Sequence, residues 1–119
     1  MDLITCDAAR GSMERALAAG VSPQGLRATQ SLARGSMKLY FYAPRGEDLQ
    51  TPHDQDEIYV VLKGSGSFTQ IGDEAVPESL SFGPGDAIFV PAGREHRFEN
   101  FSDDFETWVI MYGVSGGES

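Results

Sequence analysis

Between Ser36 and Ala43 the chain alternates Met37, Leu39 and Phe41 with Lys38, Tyr40 and Tyr42. A period of two puts the two sets on opposite faces of a β-strand. The run Glu57 to Leu62 is β-branched and aromatic, as strands prefer. Gly64-Ser65-Gly66 ends it as a predicted hairpin turn. Further short strands are predicted over Ser67–Ile71, Ala87–Val90, His96–Phe101 and Phe105–Tyr112. Gly72-Asp73, Phe82 to Asp86 and Pro91-Ala92-Gly93 read as turns between them. Residues 1–25 differ. There Met13, Ala16, Leu17 and Gly20 fall at helical spacing within an Ala-rich stretch from Ala8 to Ala19. A short N-terminal helix, stopped by Gly20 and followed by Ser22-Pro23, is predicted to cover a barrel edge. The pattern is therefore all-β, an antiparallel sandwich or barrel with one short helix. It divides into an N-terminal extension over 1–25 and one β domain over 26–119. The Gly/Ser-rich tail from Gly113 is expected to be mobile at its tip.

A chain of 119 residues is long enough for one core without disulfide staples. Its formal net charge is -9, from 18 acidic and 9 basic residues. Nucleic acid and anionic membranes need clustered Lys and Arg, so neither is expected as a partner. The single cysteine, Cys6, has no partner for a disulfide and no nucleophile motif around it. The opening Met1-Asp2-Leu3 lacks a basic stretch followed by an apolar run, and no segment is apolar over the ~20 residues a span requires. A cytoplasmic protein is the expectation.

The chain has two histidines, His53 and His96, and Glu57 follows His53 by four residues. Residues four apart on an unbroken strand face the same side. Two imidazoles and a carboxylate on one point make a facial set that binds a divalent metal and leaves positions open.

The stretch Gly85 to Asn100 has Gly85, Pro91, Gly93, His96 and Asn100 at the intervals G-x5-P-x-G-x2-H-x3-N. This resembles the second motif of the cupin superfamily at every fixed position. His53, Glu57 and Gly64 resemble the second half of the first motif, G-x5-H-x-H-x3,4-E-x6-G. The family's first histidine falls on Thr51, and Gly46 is out of step by one residue. A second register would make His53 the first ligand and Gln55 the second, but it leaves too few residues before Glu57. The resemblance covers about Leu26 to Tyr112. It implies a jelly roll, the double-stranded β-helix, with a pocket in the barrel and one divalent transition metal (Fe, Mn, Ni or Zn) on His53, Glu57 and His96. Gln50, Thr51 and Gln55 are the further candidates for reaching the metal or its water. Tyr59, which shares strand parity with Glu57, and Gln55 are the candidate catalytic groups.

The resemblance also implies a small-molecule ligand and a homodimer paired through edge strands. It leaves the activity open. One reading is a metal-dependent enzyme of dioxygenase, sugar isomerase or epimerase, or lyase type acting on a small oxygenated metabolite. Another is a non-catalytic module that binds or senses a small ligand. A third is a metal-free scaffold. No Ser-His-Asp arrangement and no phosphate loop are visible, since neither Lys-Ser/Thr nor a helix follows Gly64-Ser65-Gly66.

Overall fold

Helix α1 runs from Cys6 to Ala18 in the computed structural model, which describes residues 2–71 and 77–118. It starts before the predicted Ala8 because Thr5 caps it, the hydroxyl accepting from the Ala8 amide at 3.1 Å. It ends as the sequence suggests. Gly20 adopts a φ of 72°, and the Val21 amide donates to the Ala16 carbonyl at 3.1 Å. That closing bond needs a left-handed residue, which glycine supplies without strain.

Eight strands follow: β1 (Ala28–Arg34), β2 (Met37–Tyr42), β3 (Asp56–Lys63), β4 (Gly66–Ile71), β5 (Pro77–Phe82), β6 (Ala87–Val90), β7 (Glu95–Glu99) and β8 (Glu106–Tyr112). Six overlie the predicted strands to within two residues. Alternation marks neither β1 nor β5. A register shift between Gln30 and Leu32 breaks the period of β1, and β5 exposes every residue before Phe82. Neither burial pattern alternates, so neither leaves a period of two in the sequence. The predicted Gly72-Asp73 turn lies outside the described residues.

The strands form two antiparallel sheets, ordered β1-β2-β8-β3-β6 and β5-β4-β7. Gly64-Ser65-Gly66 is therefore not a hairpin turn, because β3 and β4 belong to different sheets. It is the corner where the chain crosses between them. The crossing is tight: Gly64 has a φ of 87°, and a Cβ there would meet Phe105 Cα at 2.5 Å. The sheets close on a core that includes Tyr59, Val61, Phe68, Phe98, Phe105 and Val109. This is the jelly-roll architecture expected from the sequence.

The faces of β2 are assigned by what covers them. Tyr42 is buried in the barrel and Tyr40 packs beside it. Phe41, from the more apolar set, points out and is buried with Ala9 and Met13 of α1. The helix is held there by Arg10, whose Nε and Nη2 donate to the two Glu106 oxygens at 2.6 and 2.7 Å. The tail is tied back to the entry of β3: Gly116 N donates to Asp54 O at 2.6 Å and Glu118 N to Asp56 Oδ2 at 3.0 Å. No helix among the described residues is long and apolar enough to cross a membrane.

Candidate functional site

Glu57 sits on β3 facing the barrel interior and is 2 % exposed. His96, on β7 of the opposite sheet, comes within 3.1 Å of it, Nε2 to Glu57 Oε1. His53 arrives differently from the sequence argument. β3 begins only at Asp56, so no unbroken strand joins His53 to Glu57, and strand parity does not place it. A bend over Asp54-Gln55 does. The loop is pinned to the turn before β7, where Gly93 N donates to His53 O at 2.6 Å. His53 Nε2 then lies 3.8 Å from Glu57 Oε2. One ligand atom from each of the three residues falls within 4.8 Å of the others.

The hydrogen bonds fix what these atoms can do. His96 Nδ1 is 2.9 Å from the Arg94 carbonyl. A carbonyl only accepts, so Nδ1 carries the hydrogen. In the neutral ring, Nε2 then presents a lone pair toward Glu57 Oε1, and two lone pairs at that distance repel. The second carboxylate oxygen, Glu57 Oε2, is buried with no hydrogen-bond partner. A buried anionic oxygen without a donor is costly. The arrangement lacks a positive charge at its centre, which a proton or a cation would supply. Adjacent ligands on a metal with bonds of about 2.1 Å sit about 3 Å apart. The 3.1 and 3.8 Å separations of Glu57 from the two imidazoles come near that spacing.

The two imidazoles are shifted in opposite directions. His96 is raised: burial pulls it down, but the Glu57 hydrogen bond and the Arg94 carbonyl outweigh that. His53 is lowered, first by burial, against the attraction of Glu57. Of the two, His96 is the imidazole whose protonated form its surroundings favour.

Tyr59 closes the site from below. Its hydroxyl lies 2.9 Å from His96 Nε2, 2.9 Å from Gln50 Oε1 and 3.3 Å from Glu57 Oε1. Burial and the nearby Glu57 and Asp48 charges raise it well above the ordinary phenol range. Gln50 thus meets the cluster through Tyr59. Gln55 is buried, with Nε2 donating to the Ser36 and Gly113 carbonyls at 2.7 and 2.9 Å. Thr51 is exposed and lies outside the three-residue cluster.

The sequence reading missed Asp48. Its carboxylate accepts from the Tyr42 hydroxyl, from Gln50 N and Nε2, and from Phe98 N on β7. It orients Gln50, and so the Tyr59 hydroxyl, from a loop that no motif marks. Beside His53 a cavity of about 290 Å³ opens at the barrel mouth, with Leu26, Ala28, Val109 and Met111 as its apolar wall.

The family model described as a cupin domain (Cupin_2) matches residues 38–112. Over 76 residues the chain is 34% identical to an uncharacterized protein of Streptomyces coelicolor, covering 64% of this chain and 68% of that one. It is 29% identical over 90 residues to a glucose-6-phosphate isomerase of Pyrococcus furiosus, covering 76% of this chain and 47% of the isomerase. It is 40% identical over 72 residues to an acireductone dioxygenase of Rhodopseudomonas palustris, covering 56% of this chain and 43% of the dioxygenase. The chain thus spans less than half the length of either named enzyme. Among solved structures, a Cupin 2 conserved barrel domain protein from Salinispora arenicola superposes with a TM-score of 0.65 at 18% identity, over 96% of this chain and 90% of that one. At that identity the likeness is one of fold.

Proposed function

The chain belongs to the cupin family, and on that premise we propose that His53, Glu57 and His96 hold one divalent transition metal beneath a pocket for a small oxygenated ligand. The observation that carries this reading is the buried, unpartnered Glu57 Oε2 between two imidazoles. A carboxylate and two imidazoles suit Fe, Mn, Ni or Zn alike. When bound, such an ion supplies Lewis acidity toward a ligand oxygen. The side chains do the rest. Arg94 O fixes the His96 tautomer, Asp48 and Gln50 orient Tyr59, and Tyr59 keeps a proton at Oη beside the ligand set. Elemental analysis of protein purified without chelator or nickel resin should find one metal per chain. His96→Ala should lose it with the fold intact. Metal-free wild-type protein that stays empty after incubation with each candidate ion would falsify the proposal.

The same residues favour a non-catalytic binding module as the second reading. Tyr59 is the titratable side chain hydrogen-bonded to Glu57 and His96 among the described residues, and its raised phenol is a poor base at neutral pH. The relatives named as isomerase and dioxygenase carry different chemistries, so neither transfers. A ligand recovered unchanged after prolonged incubation with metal-loaded protein supports binding; its conversion supports an enzyme.

The expected homodimer finds support away from the edge strands. Leu32, Leu39, Ile110, Ile58 and Phe89 pair in one register row across all five strands of the larger sheet. The row lies on the outer face and outside the cluster that α1 forms, with Ile58 and Phe89 exposed. A two-fold axis along β8 would lay Leu32 and Leu39 of one copy over Phe89 and Ile58 of the other. The row is thus self-complementary, as an isologous contact must be.

A further inference from the structure

The barrel-mouth cavity has polar walls whose groups are nearly all engaged. The Tyr42 hydroxyl donates to Asp48. Gln50 donates to Asp48 at 3.0 Å and accepts from Tyr59 at 2.9 Å. Gln55 donates to two carbonyls. Asp54 accepts the Ser115 hydroxyl at 2.8 Å. Two donors remain. Lys38 and Tyr40 also line this cavity, and neither side chain makes a hydrogen bond or ion pair among the described residues. They stand two apart on the same, inward face of β2, opposite Met111 and Val109 on β8. Lys38 is the sole cationic side chain of the lining, and Asp54, in the same lining, forms no ion pair with it.

We propose that Lys38 and Tyr40 form an anion-binding subsite, and that the ligand of this pocket is a small organic acid with an apolar body. Its carboxylate meets the Lys38 ammonium and Tyr40 hydroxyl. Its hydrocarbon part lies on Leu26, Ala28, Val109 and Met111. Its other end reaches toward His53. An ammonium and a hydroxyl without acceptors call for an oxygen acceptor, and a charged one gives the stronger bond. The apolar wall contributes in proportion to the area it covers. The net charge of -9 is screened over about 8–10 Å where it is exposed, and the one carboxylate of the lining, Asp54, accepts from Ser115. The inference deepens the ligand-binding reading of the same pocket and rests on it, but not on the metal.

The test is calorimetric titration of metal-free protein with hexanoate, hexanamide and 1-hexanol, with amide shift mapping to locate the probe. Wild-type protein should bind hexanoate about tenfold more tightly than hexanamide, the size of one charge-assisted hydrogen bond. Shifts should centre on Leu26, Val109 and Met111. Lys38→Met should abolish the preference and leave 1-hexanol unchanged, while Tyr40→Phe should reduce it. Equal binding of acid and amide, no saturable hexanoate binding, or a preference that survives Lys38→Met overturns the proposal. Repeating the titration on metal-loaded protein separates the two ideas. A protein that takes no metal yet prefers the acid sinks the metal site alone. A protein that holds metal without the preference sinks the anion subsite alone.

Discussion

Glu57 is more expensive to the fold than a carboxylate that merely fills space. It is almost wholly buried, one oxygen has no donor, and the other faces His96. Such a group is kept for what it binds, since an isosteric amide satisfies the same volume without the charge. Glu57→Gln should therefore lose metal while, at a pH above the His96 titration, the metal-free variant unfolds no more readily than metal-free wild type and is more stable by up to about 1 kcal/mol in urea. A variant that loses metal and also melts early would make Glu57 structural instead. The same substitution has a titration signature. In metal-free protein His96 is raised, against the pull of burial, by the Glu57 hydrogen bond, the Arg94 carbonyl and the Glu57 charge. A raised histidine contributes stability fully below its unfolded pKa of about 6.5 and loses it as pH rises through the folded value. Glu57→Gln should bring the His96 titration down and remove that loss on the alkaline side. Proton NMR of the two histidines reads both curves. An unmoved His96 titration would mean that Glu57 does not hold its proton.

At the scale of elements, the corner between β3 and β4 is tightly packed. Gly64 is there for two reasons, a φ of 87° and the nearness of Phe105 Cα. Gly85 opens the turn before β6 with a φ of 86°, but nothing lies within 4 Å of where its Cβ would be. The pair separates conformation from crowding. Gly85→Ala should cost about 1 kcal/mol, the backbone term alone. Gly64→Ala should cost about 3 kcal/mol or more, because backbone must move away as well. Chemical denaturation of both variants checks this, and equal losses would mean that the corner relaxes freely. The corner matters for the site, since it is where the chain leaves the sheet that carries Glu57 and Tyr59 for the sheet that carries His96.

For the whole molecule, the outer face of the larger sheet is divided. Helix α1 covers Phe41 in a cluster that Trp108 and Leu62 pack against, and the row from Leu32 to Phe89 lies outside that cluster, with Ile58 and Phe89 exposed. A chain of 12.9 kDa should therefore run at twice that mass in light scattering. Ile58→Lys, at an outward position already 42 % exposed, should give a folded monomer. A dimer that persists in this variant would return the contact to an edge strand. Metal content should survive the change, because Ile58 faces away from Glu57 on the same strand.

The sequence by itself determined the parts set by local spacing. Five fixed positions from Gly85 to Asn100 marked the β6–β7 turn and put His96 at its strand, and six strands followed from alternation and turn residues. The ligand types were legible too, because only two histidines are available. What alternation could not reach were β1, whose period a register shift breaks, and β5, which exposes every residue before Phe82. Nor could it assign the face of β2: Tyr40 and Tyr42 turned inward because α1 takes Phe41 outside. His53 met Glu57 through a bend held by Gly93, not through strand parity, and Asp48 joined the site across a loop and a strand with no spacing between them to read. Those contacts bring together residues from two sheets and the loops between them, so only the closed barrel decides them.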